Sequence, residues 1–189
     1  MSLLPLLDAA RSLAADGRLV AEAHARRGAR RPALSALADP SLWALSLLRG
    51  SAGLRRSLGS SFGLSSLLRV AFHIDVWTDE IGPGLRLPHP FCIVIGEGVS
   101  VGAGCTLLHN VTIQRGQGTC VADGAVLNTG ATILAGSSVG AAAIIGAHSV
   151  VRGVIPPGAV AVGAPARVVK TNLAPLDPSA EGTAPCASP

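Results

Sequence analysis

The chain has 189 residues, 49% hydrophobic but only 3% aromatic, with 23 Gly and 13 Pro, so its core must use small and β-branched side chains in one main domain. Its formal net charge of +4 comes without aromatic interleaving or a recognised binding motif, which argues against nucleic-acid binding. Four cysteines, Cys92, Cys105, Cys120 and Cys186, follow no metal-ligand spacing; they read as small buried hydrophobes or free thiols, not a disulfide framework, and fit a reducing, cytoplasmic compartment.

The first stretch, "MSLLPLLDAARSLAAD", has no basic leader and is interrupted by Asp8, so it predicts a helix, not a secretory signal. Residues 1–70 hold ten basic and four acidic residues, a local balance of +6 against −2 for the remainder, and "ARRGARRP" is the densest cluster. It reads as a solvated helix end or linker. "ADPSLWALSLLRGSAGLRRSL" opens with Asp39 as N-cap and Pro40 at the first helical position, followed by Leu42, Leu45 and Leu48 at helical spacing. "FGLSSLLRVAF" reads as another helix, so residues 1–73 form an N-terminal helical region.

From residue 74 the period changes. Ile81, Leu87, Ile95, Val101, Leu107, Ile113, Val121, Leu127, Ile133, Val139, Ile145 and Val151 recur six apart, except for two steps of eight. That spacing fits neither an amphipathic helix nor strand alternation. It is the mark of a parallel β-helix, in which one aliphatic side chain per short strand points inward and small residues make the corners. The 28 residues from Gly124 to Val151 contain no Asp, Glu, Lys or Arg, but their aliphatics recur singly among Gly, Ser, Thr and Asn. No membrane span is expected there.

Three six-residue faces make one coil, so the two steps of eight mark two-residue insertions, at "PHPFCI" and "QRGQGTC", which should bulge as loops. His89 lies in the first, its backbone restricted by Pro88 and Pro90. Counted from Leu87 and Leu107, His89 and His109 should occupy equivalent corners of successive coils, and Thr129 and Ala147 continue that series. His148 falls one residue past it and reads as a surface or corner histidine. The β-helix and its cap end at residue 170, and residues 171–189, rich in Pro, Ala and Ser, are expected to be a disordered tail. "GEGVSVGAG" lacks G-x-G-x-x-G spacing, and no metal constellation is visible.

The set "LPHPFCIVIGEGVSVGAG", "LLHNVTI" and "VIPPGAVAVGAPARVV" resembles the hexapeptide-repeat acetyltransferases, specifically the serine O-acetyltransferases and their exopolysaccharide-acetyltransferase relatives. The resemblance implies a left-handed β-helix of residues 74–170, a homotrimer, and acetyl-CoA bound as co-substrate between neighbouring prisms, without a metal. It places the catalytic general base on His89, where a near-neutral imidazole takes the proton of the attacking hydroxyl. Asp75, in "IDVWTDEIG", matches the carboxylate that orients this base, although a surface or capping role is the alternative. His109 is a further catalytic candidate. Gly163, Ala164, Arg167 and Lys170 of the cap are the expected coenzyme contacts, the two cations as phosphate partners.

The resemblance leaves the acceptor open. Serine acetyltransferases, which serve cysteine biosynthesis, carry an aspartate immediately before the base and a histidine in a long loop; here Pro88 replaces the first and the short "QRGQGTC" lacks the second. Arg115 in that loop is placed to meet a carboxylate. Asp39 resembles an acceptor-binding aspartate of those enzymes, with simple helix capping as its other role. A sugar hydroxyl is the alternative acceptor, and a catalytically silent β-helix scaffold is the reading from another class.

Overall fold

The computed structural model describes residues 4–171. Four helices come first: α1 (Leu4–Arg26), α2 (Pro32–Leu37), α3 (Pro40–Leu58) and α4 (Leu64–Phe72). Helix α3 starts as the sequence predicts, with Pro40 in its first turn and Asp39 Oδ1 accepting from Ser41 N at 2.8 Å. The short α2, which begins at the last residue of the basic cluster, is additional. No helix among the described residues is long and apolar enough to cross a membrane.

The rest is a left-handed parallel β-helix, as expected. Its thirteen prism strands are β1 (Asp75–Val76), β2 (Val94–Ile95), β3 (Val99–Val101), β4 (Thr106–Leu107), β5 (Thr112–Ile113), β6 (Thr119–Val121), β7 (Val126–Leu127), β8 (Thr132–Ile133), β9 (Ser138–Val139), β10 (Ile144–Ile145), β11 (Val150–Val151), β12 (Val154–Ile155) and β13 (Ala159–Val162). The first face stacks β1-β2-β5-β8-β11, the second β3-β6-β9-β12, and the third β4-β7-β10-β13. A final strand, β14 (Arg167–Thr171), runs antiparallel to β13 and closes the third face. Thr171 thus belongs to the cap; the rest of the expected tail, with Cys186, lies outside the described residues.

Eleven members of the six-residue ladder are buried, and Ile81, in the first coil, packs partly buried against them. A second inward ladder sits two residues earlier on each strand: Leu85, Ile93, Val99, Cys105, Val111, Thr119, Ala125, Ala131, Ser137, Ala143 and Ser149 are all buried. Its upper members are too small or too polar to stand out in the sequence. Their hydroxyls are used: Thr119 Oγ1 accepts from Gly136 N at 2.8 Å and Ser149 Oγ from Gly163 N at 3.0 Å. Cys105 fits the buried-hydrophobe reading, since burial, aided by Asp123, pushes its thiol up to about 11. Cys92 is free and exposed, whereas Cys120 is disulfide-bonded, which corrects the free-thiol reading there.

The helices are fastened to the first coil by a buried ion pair. Asp16 on α1 is fully buried and Arg49 on α3 nearly so. Arg49 Nε donates to Asp16 Oδ2 at 2.8 Å, while its Nη1 and Nη2 donate to the carbonyls of Ile81 and Gly82 at 2.7 and 2.6 Å. Leu85 N completes the set by donating to Asp16 Oδ1 at 2.8 Å.

Candidate active site

The corner between the third and first faces carries the expected base. Arg86 bridges to Thr106 and Leu87 is buried, so the third-face register holds up to that point. The two extra residues are absorbed immediately afterwards. Pro88 and His89 are exposed, Pro90 is buried, and the chain folds back so that Phe91 N donates to the His89 carbonyl at 2.8 Å. A tight turn centred on a proline therefore presents the imidazole.

That insertion corrects the expected equivalence of the histidines. Asn110 N donates to the Phe91 carbonyl, Gly130 N to that of His109 and His148 N to that of Thr129, at 3.1, 3.1 and 2.8 Å. Phe91, His109 and Thr129 are therefore the stacked positions, and His89 stands outside the column because the insertion precedes Phe91. The two rings still meet edge to face, with centroids 5.8 Å apart at 75°. His109 Nδ1 is buried without a hydrogen-bond partner among the described residues.

Asp75 does not make the expected bond. It lies on β1, and its Oδ1 accepts from Arg69 Nη2 at 2.7 Å and Arg69 Nε at 3.1 Å. Helix α4 ends only three residues before Asp75, which brings Arg69 to the carboxylate; none of the hydrogen bonds of the described residues joins Asp75 to His89. The Arg69 guanidinium also lies 5.5 Å from the Trp77 ring centroid. Trp77 and Val94, with Thr112, Gln114, Glu97 and Arg115, line a groove of about 460 Å³ beside the second loop. Arg115 pairs there with Glu97 at 3.6 Å, both exposed.

Further up the same corner, the column narrows around glycine. Gly130 has φ +70°, and a Cβ there would come 2.4 Å from His148 Nδ1, so the His148 ring lies over a position that only glycine can fill. One coil above, Val150 N donates to the Gly163 carbonyl at 2.9 Å. Gly163 and Ala164 therefore cap the corner that His89 opens, four coils away, or about 19 Å at the strand spacing. Arg167 and Lys170 are exposed on β14, with Arg167 Nη1 bonded only to the Ala166 carbonyl at 3.1 Å.

No protein-family model matches the chain. Serine acetyltransferase 2 of Arabidopsis thaliana is 34% identical to it over 126 residues, 63% of this chain and 39% of the relative. A solved serine acetyltransferase in complex with CoA matches it with a TM-score of 0.71 at 30% identity, over 86% of this chain and 70% of that one. The chain belongs to the hexapeptide-repeat acetyltransferase family. Soybean serine acetyltransferase complexed with serine gives a TM-score of 0.72 at 29% identity, again over 86% of this chain and 70% of that one. The chain spans well under half the length of the curated relatives it matches.

Of the two departures noted in the sequence, Pro88 adjoins a cleft next to the inserted loop, while the short second loop borders the Trp77 groove. Pro88 lines a cleft of about 70 Å³ together with Arg86 from the third face, Arg27 and Ala23 from the α1 end, and Asp39 and Ser41 at the start of α3. Asp39 is doubly engaged: besides Ser41 N, His24 Nε2 donates to its Oδ2 at 2.8 Å. Burial works to raise its carboxyl, but the bonds from Ser41 and His24 outweigh that and hold it below the ordinary value of 3.8. Sequence reasoning did not anticipate Arg27 and Arg86 in the cleft beside Pro88. The signal for Arg86 was present, since it alternates with inward Leu85 and Leu87 and so must point out beside the inserted loop.

Proposed function

We propose that the protein transfers an acetyl group from acetyl-CoA to a hydroxyl of a small acceptor, with His89 as general base. The observation that carries this reading is the placement of His89 at the foot of the one corner whose top is the Gly163–Ala164 cap. Two of the solved relatives are complexes with CoA and with serine, and the first supports a coenzyme lying along that corner with its thioester end toward His89. The imidazole takes the acceptor proton as the oxygen attacks the thioester carbonyl; the C–S bond then breaks and the proton passes to the departing thiolate. Gly163 and Ala164 allow close approach of the coenzyme, and Arg167 and Lys170 supply cations for its phosphates. Asp75, whose carboxylate accepts from Arg69, lies on β1 with no bond to the imidazole among the described residues, and remains the candidate for orienting it. A homotrimer would place the groove between neighbouring prisms.

Serine, which a solved relative binds, is the first acceptor to consider, and a sugar hydroxyl is the alternative. Pro88 stands where a carboxylate would meet an ammonium group, and Asp39, the other acid of the cleft, is already bonded twice. A hydroxyl compound without a free ammonium, such as a sugar, needs no such partner. The test is thiol release from acetyl-CoA across serine, homoserine and sugar acceptors. His89→Ala should lower turnover about 100-fold or more with CoA affinity little changed, and His109→Ala should cost less. The reverse order would refute the inserted loop as the catalytic corner, and absence of CoA binding would favour a scaffold.

A further inference from the structure

The cleft beside Pro88 has an unbalanced charge. Arg86 and Arg27 both line it, and neither side chain enters any ion pair or hydrogen bond among the described residues. The carboxylate of the cleft, Asp39, gives its two oxygens to Ser41 N and His24. Arg27 follows the C-terminal end of α1, where a cation is favoured by the exposed carbonyls. Arg86 has no such reason to be there: it projects from the third face, half-buried, between the helices and the base-bearing loop. A partly desolvated guanidinium with unused donors is a fork waiting for a carboxylate or phosphate.

We propose that this cleft is an anion subsite, and that the acceptor acetylated at His89 carries a phosphate or carboxylate held by Arg86 and Arg27. The word acceptor rests on the acetyl-transfer reading above; the anion subsite itself rests on the cleft. The small volume suits a charged headgroup, and Arg86 and His89 are separated along the chain only by Leu87 and Pro88, so a short acceptor spans from one to the other. A neutral polyol leaves both guanidinium groups unused, whereas a hydroxyl compound that carries a phosphate or carboxylate engages them.

Two measurements on the full chain test this. Calorimetric titration with glycerol 3-phosphate, glycerate and glycerol, without acetyl-CoA, reads the subsite alone. Thiol release with the same three compounds reads their use as acceptors. Glycerol 3-phosphate should bind most tightly, more weakly as salt rises, and glycerol should not bind. Arg86→Gln should weaken glycerol 3-phosphate binding about tenfold or more, the scale of a hydrogen bond to a charged group. Arg86→Lys should restore part of it, which separates lost charge from lost folding. The KM for the anionic acceptor should rise by the same factor while that for acetyl-CoA stays constant. Equal binding by wild type, Arg86→Gln and Arg27→Gln overturns the proposal. So does a loss that appears instead in the KM for acetyl-CoA, since the arginines would then serve the coenzyme's phosphates. Arg86-dependent binding without acetylation of any acceptor upholds the anion subsite and refutes the acetyl-transfer reading.

Discussion

Asp39 shows how one residue can serve both a helix and a cleft. Its carboxyl sits below the unfolded value of 3.8, so its charged form contributes stability above that value, and the contribution is lost as pH falls through the lower folded value. Asn is also a good N-cap but cannot titrate. Asp39→Asn should therefore flatten the fall of the urea midpoint below pH 4 relative to wild type, and an unchanged slope would contradict the assignment. At this scale the sequence located the inserted loop that carries His89, because two prolines and a step of eight single it out. It misjudged the partners of His109 and Asp75. Those depend on where the chain absorbs two extra residues and on how α4 approaches β1, and a hydrophobic period encodes neither.

Between elements, the buried pair Asp16–Arg49 carries the attachment of the helices to the prism. Asp16 lies on the apolar stripe of α1 with Leu13 and Val20, so an acid at a core position was the available signal for a buried partner. Asp16→Ala leaves Arg49 buried without its counter-ion, which should cost about 3–5 kcal/mol, against about 1 kcal/mol for loss of the α3 cap in Asp39→Ala. Urea denaturation that found the two variants equally stable would remove this clamp as the main tie. Hydrogen exchange should show α1 and the first coil opening together in Asp16→Ala. The strands were legible through one inward ladder. The second ladder escaped because Thr, Ala and Ser fill its upper half, where the prism needs small side chains and satisfies their hydroxyls locally.

For the molecule as a whole, the six-residue period revealed the architecture and a cap was expected to end at residue 170, while the form of that cap, an antiparallel strand against β13, came only with the structure. The outer surface near the first face and α4 leaves Leu67, Val70, Trp77, Phe91 and Val94 exposed, more apolar side chains in one region than a monomer usually shows. Light scattering should therefore give the mass of three chains. A stable monomer at micromolar concentration would rule out both the trimer and a coenzyme groove between subunits. The four coils between His89 and Gly163 have another consequence. Repeats in a solenoid are gained and lost by duplication and deletion of eighteen-residue units, each of which preserves every inward side chain and leaves the fold intact. Each also moves the cap relative to the base by one rung, about 4.8 Å. The prism is thus a ruler graduated in coils, and a change in its length that stability tolerates would still mismeasure a coenzyme bound along it as proposed.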